Sequence, residues 1–165
     1  EKADIIRNAI DLAHVIGMEA PKVAILAAVE TVNPAMPSTL DAAALCKMAD
    51  RGQISGGILD GPLAFDNAVS EAAAREKGIV SEVAGHAEIL VVPNLEAGNM
   101  LAKQLTFLGG ADAAGIVLGA RVPIILTSRA DSLRTRLASC AVAGVMGRAR
   151  TPAAPGLAGG KRVPL

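Results

Sequence analysis

The sequence predicts an α/β fold, a mostly parallel sheet with helices on both faces. Three observations lead there. Short apolar runs of strand length alternate with stretches of helical period. Those runs are apolar throughout, as strands covered on both faces are. Apolar residues make up 52% of the 165 positions and charged residues 19%, which suffices for one core and is too little charge for a disordered chain.

The elements run in order along the chain. Ile5, Ala9, Leu12, Ala13 and Ile16 share one face of a first helix, which Gly17 stops. KVAILAAV at 22–29 has the length of a buried strand. The loop ETVNPAMPS comes next, and Ser38 with Asp41 opens a second helix as a capping-box-like S-x-x-D, running to about Asp50. Residues 56–59 read as a strand ending at Asp60-Gly61, and 64–77 as one helix with Gly78 as its cap. Residues 88–92 are a strand closed by Pro93. Residues 97–108 are a helix ended by Gly109-Gly110. Residues 114–118 and 123–126 are short strands, and the last helix spans 128–143. In such sheets ligands gather at the carboxyl ends of strands. The segments there are 30–34, 60–66, 93–99, 119–121 and 127–131. From Gly147 onward three Pro, four Gly and four basic residues without apolar period predict a disordered basic tail, 147–165.

Composition narrows the function. Sixteen basic residues balance sixteen acidic ones, so the chain as a whole lacks the positive field of a nucleic-acid or membrane-surface binder. Two Phe, no Trp and no Tyr leave nothing to stack bases on. No apolar run is long enough for a transmembrane helix, and the opening Glu1, Lys2 and Asp4 do not resemble a signal peptide. The missing initiator Met suggests a processed or truncated product. Cys46 and Cys140 form no CxxC pair. Both sit in apolar helical patterns, so buried thiols in a reducing, cytoplasmic compartment are expected. His14 and His86 are isolated, and no metal-ligand spacing exists. Residues 1–100 carry a net charge of −7 and residues 101–165 a net +7. Either the later part holds an anion site or its basic residues mainly decorate the tail.

Two segments stand out. TSRAD at 127–131 comes directly after a strand. Ser128 and Asp131 make an S-x-x-D box, and Arg129 beside a helix N-terminus can grip two oxygens of a phosphate. PNLEAGN at 93–99 also passes from strand to helix. Glu96, Asn99 and Lys103 share one face there, as a binding surface or a solvated one.

Four stretches, in order and at matching spacing, resemble the phosphate acetyl- and butyryltransferase family over about residues 1–143. They are DGPLAFDN at 60–67, PNLEAGN at 93–99 with Lys103, GGADAAG at 109–115 and LTSRADS at 126–132. SRADS resembles the butyryl branch. It is also similar to the phosphate acyltransferase region of bifunctional enoyl-CoA hydratase/phosphate acetyltransferases. The resemblance implies an isocitrate/isopropylmalate dehydrogenase-like architecture with one domain of two present. Residues 1–125 would be the second domain, and 126–146 the returning strand and helix of a missing first domain. The apolar stripe of that orphaned helix, Leu133, Leu137, Cys140 and Ala141, would be exposed or would pack elsewhere.

The resemblance further implies direct acyl transfer between coenzyme A and phosphate, without an acyl-enzyme and without a tightly bound cofactor. Its catalytic candidates are Ser128, toward the thiol or thiolate, and Arg129, toward phosphate. Asp131 joins them as the nearest carboxylate, because Thr135 stands where the acetyl branch carries an Asp base. Lys103, Asn99, Glu96 and Thr135 are candidates for holding substrate or coenzyme A. Asn94 replaces an Asp often found before Leu-Glu. Acyl-CoA and phosphate are the expected partners, with a homodimer in the full-length protein and neither nucleic acid nor membrane. The alternative is a non-catalytic coenzyme A- or phosphate-binding or dimerisation module. A dehydrogenase-like enzyme would need metal-binding aspartates, and no such cluster is present.

Overall fold

The structure is a computed structural model that describes residues 1–150. Its elements are α1 (Lys2–Val15), β1 (Lys22–Leu26), α2 (Pro37–Asp50), β2 (Ile58–Leu63), α3 (Phe65–Val69), α4 (Glu71–Glu76), β3 (Ile89–Val91), α5 (Leu95–Phe107), β4 (Ile116–Val117), β5 (Ile124–Ile125) and α6 (Leu133–Arg150). β1 lies between β2 and β3, and both pairings are parallel.

β1 is the keystone of packing. Successive side chains of a strand point to opposite faces, and both faces of β1 are apolar. Val23 and Ile25 pack with Ile6 and Ile10 of α1, Ala42 and Leu45 of α2, and Val91 of β3. Ala24 and Leu26 pack on the opposite face with Leu63, Ala68 of α3, Ala74 of α4 and Val83. Each fully buried Val, Leu or Ile contributes about 1.5–3 kcal/mol. The parallel sheet covered on both faces is therefore present.

Several details differ from the sequence reading. The buried stripe of α1 is Ile6, Ile10 and Ala13, whereas Ile5 and Ile16 are 53% and 54% exposed. Two adjacent stripes of α1 are apolar, and the sheet selects one. α2 starts one residue earlier, with Pro37 in its first turn, where a preset φ favours helix. Asp41 pairs with Lys2 instead of closing a capping box, and the Thr39 hydroxyl, donating to the Met36 carbonyl at 2.8 Å, ties the entry loop. The helix expected over 64–77 is broken at Ser70. That residue is extended (φ −129°, ψ 113°), and its hydroxyl caps α4 by accepting from Ala73 N–H. β2 runs through Asp60 and Gly61 to Leu63, so half of the expected 60–66 loop is strand.

β4 and β5 do not extend the parallel sheet; they form a separate antiparallel pair. Six residues separate them, and a parallel crossover needs about a dozen. α6 begins at Leu133, not at Ser128, and continues to Arg150. Residues 147–150 are thus helical rather than tail, and the rest of the expected tail, 151–165, lies outside the described residues. The exposed stripe of α6 is as expected: Leu133 is 73% and Leu137 60% exposed, while Ser139 and Met146 are buried. None of the helices described is long and apolar enough to cross a membrane.

The two cysteines differ. Cys140 is exposed, not the buried thiol its apolar pattern predicts, because it lies on the outward stripe of α6 that the orphaned-helix reading names. Cys46 is partly buried against the sheet, its Sγ 3.6 Å from the Gly61 carbonyl. Burial, with Asp60 and Asp50 adding negative charge nearby, pushes its thiol up to about 12. Reaction with a thiol-specific dye at neutral pH should label Cys140 at once and Cys46 only as the chain unfolds, since the thiolate is the nucleophile.

Gly61 sits where β1 and β2 approach most closely, and a Cβ there would lie 2.7 Å from the Ile25 carbonyl oxygen. Gly61→Ala should therefore lower stability by about 1–3 kcal/mol through overpacking, read as a lower urea midpoint.

Candidate functional site

The site builds outward from the edge of the core. β3 ends at Val91, and Asn94 then caps α5 by accepting from Ala97 N–H at 2.9 Å. A side-chain oxygen at this position is what the cap needs, and Asn supplies it. α5 has no fully buried residue. It presents Lys103 to a shallow cleft of about 200 Å³, together with Asp112, Ala130, Asp131, Ser132 and Thr135. Lys103 Nζ also sits 5.6 Å above the Phe107 ring.

The far wall is the segment between β5 and α6. The Ser128–Asp131 box forms, but as a free-standing turn ahead of the helix. Ser128 N–H donates to the Asp131 carboxylate at 2.5 Å, and Ala130 N–H donates to the Ser128 hydroxyl at 3.3 Å. The cap of α6 is Ser132, whose hydroxyl accepts from Thr135 N–H at 3.1 Å. The amino end of α6, with its positive dipole end, thus reaches the cleft through Ser132 and Thr135 rather than through Ser128. Ser128 and Arg129 are exposed and do not line the cleft themselves; they immediately precede Ala130, which does. The Arg129 carbonyl lies 3.5 Å from the Arg136 guanidinium, and its own guanidinium projects without a partner among the described residues.

The structure therefore brings together Lys103, Asp131 and Thr135, with Ser128 and Arg129 at the rim. It separates Asn99 and Glu96 from them. Asn99 lines a different groove, along β3 with Asn94 and Gly98, and Glu96 is exposed outside both. One helical face can hold all three residues, but Asn99 and Lys103 lie four positions apart, about 6 Å of axis, and they open onto separate depressions.

Other residues of the site escaped the sequence reading. Asp112, inside the GGADAAG stretch, pairs with Arg134 at 2.6 Å and ties that segment to the first turn of α6. Both side chains are mostly exposed, so the pair is worth about 0–1 kcal/mol. Ser139 is wholly buried and bonds the Gly115 amide at 2.9 Å. Ser132 was legible as a Ser three residues before Thr135; the Gly115 contact had no sequence signal. Among the described residues no three His, Cys, Asp or Glu side chains gather as a metal site.

Comparison with known proteins bears on this arrangement. The family model of phosphate acetyl/butaryl transferase matches residues 1–144. A phosphate acetyltransferase of Rhizobium meliloti is 71% identical over 152 residues, which cover 92% of this chain and 48% of the relative. A phosphate butyryltransferase of Clostridium acetobutylicum is 53% identical over 146 residues, 88% of this chain and 48% of its own. A solved structure, a branched-chain phosphotransacylase from Enterococcus faecalis, superimposes with a TM-score of 0.79 at 38% identity, over 87% of this chain and 51% of that one. The chain spans about half the length of the curated relatives it matches. With the match running unbroken through the core, the cleft and the SRADS turn, the chain belongs to the phosphate acetyl/butaryl transferase family.

Proposed function

We propose that this chain supplies one wall of a phosphate acyltransferase active site, in which acyl-CoA and phosphate exchange to give acyl phosphate and free coenzyme A. The observation that carries the reading is the exposed Ser128–Arg129 turn at the rim of the Lys103–Thr135 cleft. A phosphate oxygen attacks the thioester carbonyl, the C–O bond forms and the C–S bond breaks. Negative charge gathers first on the carbonyl oxygen and then on sulfur. Arg129 holds the phosphate by charge-assisted hydrogen bonds, and the Ser128 hydroxyl donates to the departing thiolate, which leaves without a base. Donors fixed in advance stabilise that charge, and holding both substrates in register supplies much of the remaining rate.

In this reading Asp131 is not the base, because its carboxylate is engaged by the Ser128 amide; it positions the turn. Thr135 and Lys103 line the substrate side of the cleft, Lys103 adding positive charge. Asn99 and Glu96 lie outside it. The acyl group is acetyl or butyryl, in keeping with relatives named for each. Coenzyme A is a substrate, and no tightly bound cofactor takes part. Residues 1–125 form the second domain, and 126–146 return toward the first through a turn and α6, whose exposed stripe belongs against it. The full-length protein is a cytoplasmic homodimer.

One observation favours the second reading, a non-catalytic binding module. The cleft measures about 200 Å³, whereas ligand pockets usually measure about 300–1,000 Å³. The isolated chain thus presents half an enclosure. Acyl-phosphate formation from acetyl-CoA and butyryl-CoA, assayed with and without the first half of a full-length relative, separates the two. Activity that appears only on reconstitution supports the proposal; none in either mixture favours the binding module.

Two substitutions test the assigned roles. Arg129→Ala should abolish phosphate binding by calorimetry with an unchanged unfolding midpoint, since the side chain is exposed. Ser128→Ala should reduce turnover in the reconstituted enzyme by about 10²-fold, as loss of a transition-state donor does, and cost no more than about 1 kcal/mol from the lost turn contact.

A further inference from the structure

Among the described residues, Ser139 is the one polar residue on the buried side of α6, wholly excluded from solvent like Met146. Helix propensity favours Ala at such a position, and a mid-helix Ser that bonds the carbonyl four residues back is mildly unfavourable. Here it does so: the hydroxyl donates to the Thr135 carbonyl at 2.7 Å. The same oxygen accepts from the Gly115 amide at 2.9 Å. Gly115 in turn accepts at its carbonyl from Leu126 N–H at 3.1 Å. The approach is so close that a Cβ on Gly115 would lie 2.0 Å from the Leu126 oxygen.

These contacts form a relay. Leu126 stands two residues before Ser128, and Thr135 lines the cleft. One buried hydroxyl therefore joins α6, which lines the cleft at Thr135, through Gly115 to Leu126, two residues before the Ser128–Arg129 turn. Asp112–Arg134 also ties the 109–115 stretch to α6, but on the surface, where solvent screens it. Burial makes the Ser139 link the stronger constraint, because removing it leaves the Gly115 amide without a partner.

We propose that Ser139 is a positioning residue that sets the Ser128–Arg129 turn against the Lys103–Thr135 cleft, through Gly115 on one side and Thr135 on the other. The proposal rests on the acyltransferase reading for what that turn binds. Ser139 touches no substrate itself. Its contribution is to hold two groups in register, which loose support would degrade.

The test uses the 165-residue chain, with Ser139→Ala and, as a control of similar volume, Ser139→Cys. Amide hydrogen exchange is followed at Gly115, Leu126 and Ser128, with Val23 and Ile25 of β1 reporting the core. Binding of inorganic phosphate is measured by calorimetry under conditions where the core amides stay protected. The expected result is a protected Gly115 amide in the unsubstituted chain and about a tenfold loss of protection at Gly115 and Leu126 in both variants. Phosphate affinity should fall by a similar factor while β1 is unchanged. A Gly115 amide that exchanges freely in the unsubstituted chain overturns the proposal, and this arm requires no variant to fold. Unchanged protection in the variants, or full retention in Ser139→Cys, also overturns it. So does lost protection with unaltered phosphate affinity, which would make Ser139 merely structural. If the unsubstituted chain binds no phosphate, the assignment of phosphate to Arg129 in this half fails by itself. The positioning claim is then decided by whether Ser128 loses protection together with Gly115.

Discussion

The structure depends on β1 being apolar on both sides. Val23 and Ile25 anchor α1 and α2, and Ala24 and Leu26 anchor α3, α4 and the segment after them. Because β1 is paired on both edges and covered on both faces, its carboxyl end and that of β3 are fixed points. Everything that carries chemistry hangs from them. Beyond β3 the construction changes: α5 has no fully buried residue, and β4 and β5 are two residues each. Packing decides the first half of the chain, and a handful of hydrogen bonds decides the second.

That division explains the construction of the site. Where apolar burial is thin, a turn keeps its shape only if its amides are individually satisfied. Asp131 does this for Ser128, Ser132 for Thr135 and Ser139 for Gly115. The side chains that do so are Ser and Asp, short groups whose oxygens reach local backbone without losing much rotamer freedom. The polar density of LTSRADS is therefore partly structural. Arg129 is the charged residue of that motif whose side chain has no partner among the described residues, which leaves it available for an anion.

Legibility in the sequence divides along the same line. The alternation of apolar strands and helices was readable because β1 is buried on both faces and β3 partly so, and their composition records it. The break at Ser70 was readable in principle, since Ser is a better cap than an interior residue, but the surrounding alanines masked it. The antiparallel β4–β5 pair could have been inferred from its short connection alone. Which stripe of α1 faces inward could not, because Ile5 and Ile6 are equally apolar and only the sheet distinguishes them. Within the site, the residues of the SRADS turn were legible as a motif, while their grouping was not. Asn99 and Lys103 share a face yet open onto different depressions, and Ser139 meets Gly115 across 24 positions through a contact that leaves no local pattern.

The charge asymmetry of the chain gains a physical meaning from these contacts. Between positions 103 and 136 lie Lys103, Arg121, Arg129, Arg134 and Arg136, against only Asp112 and Asp131. Both acids are engaged: Asp112 neutralises Arg134, and Asp131 accepts the Ser128 amide. Of the net +7 in residues 101–165, +3 therefore lies between positions 103 and 136, and Arg148, Arg150, Lys161 and Arg162 supply the other +4. A cationic rim next to a helix amino end concentrates anions near Arg129. The attraction is exposed and therefore reaches about one Debye length, roughly 8 Å at physiological ionic strength. It can draw a phosphate-bearing molecule toward the cleft; holding it in one orientation falls to the short-range bonds of the turn.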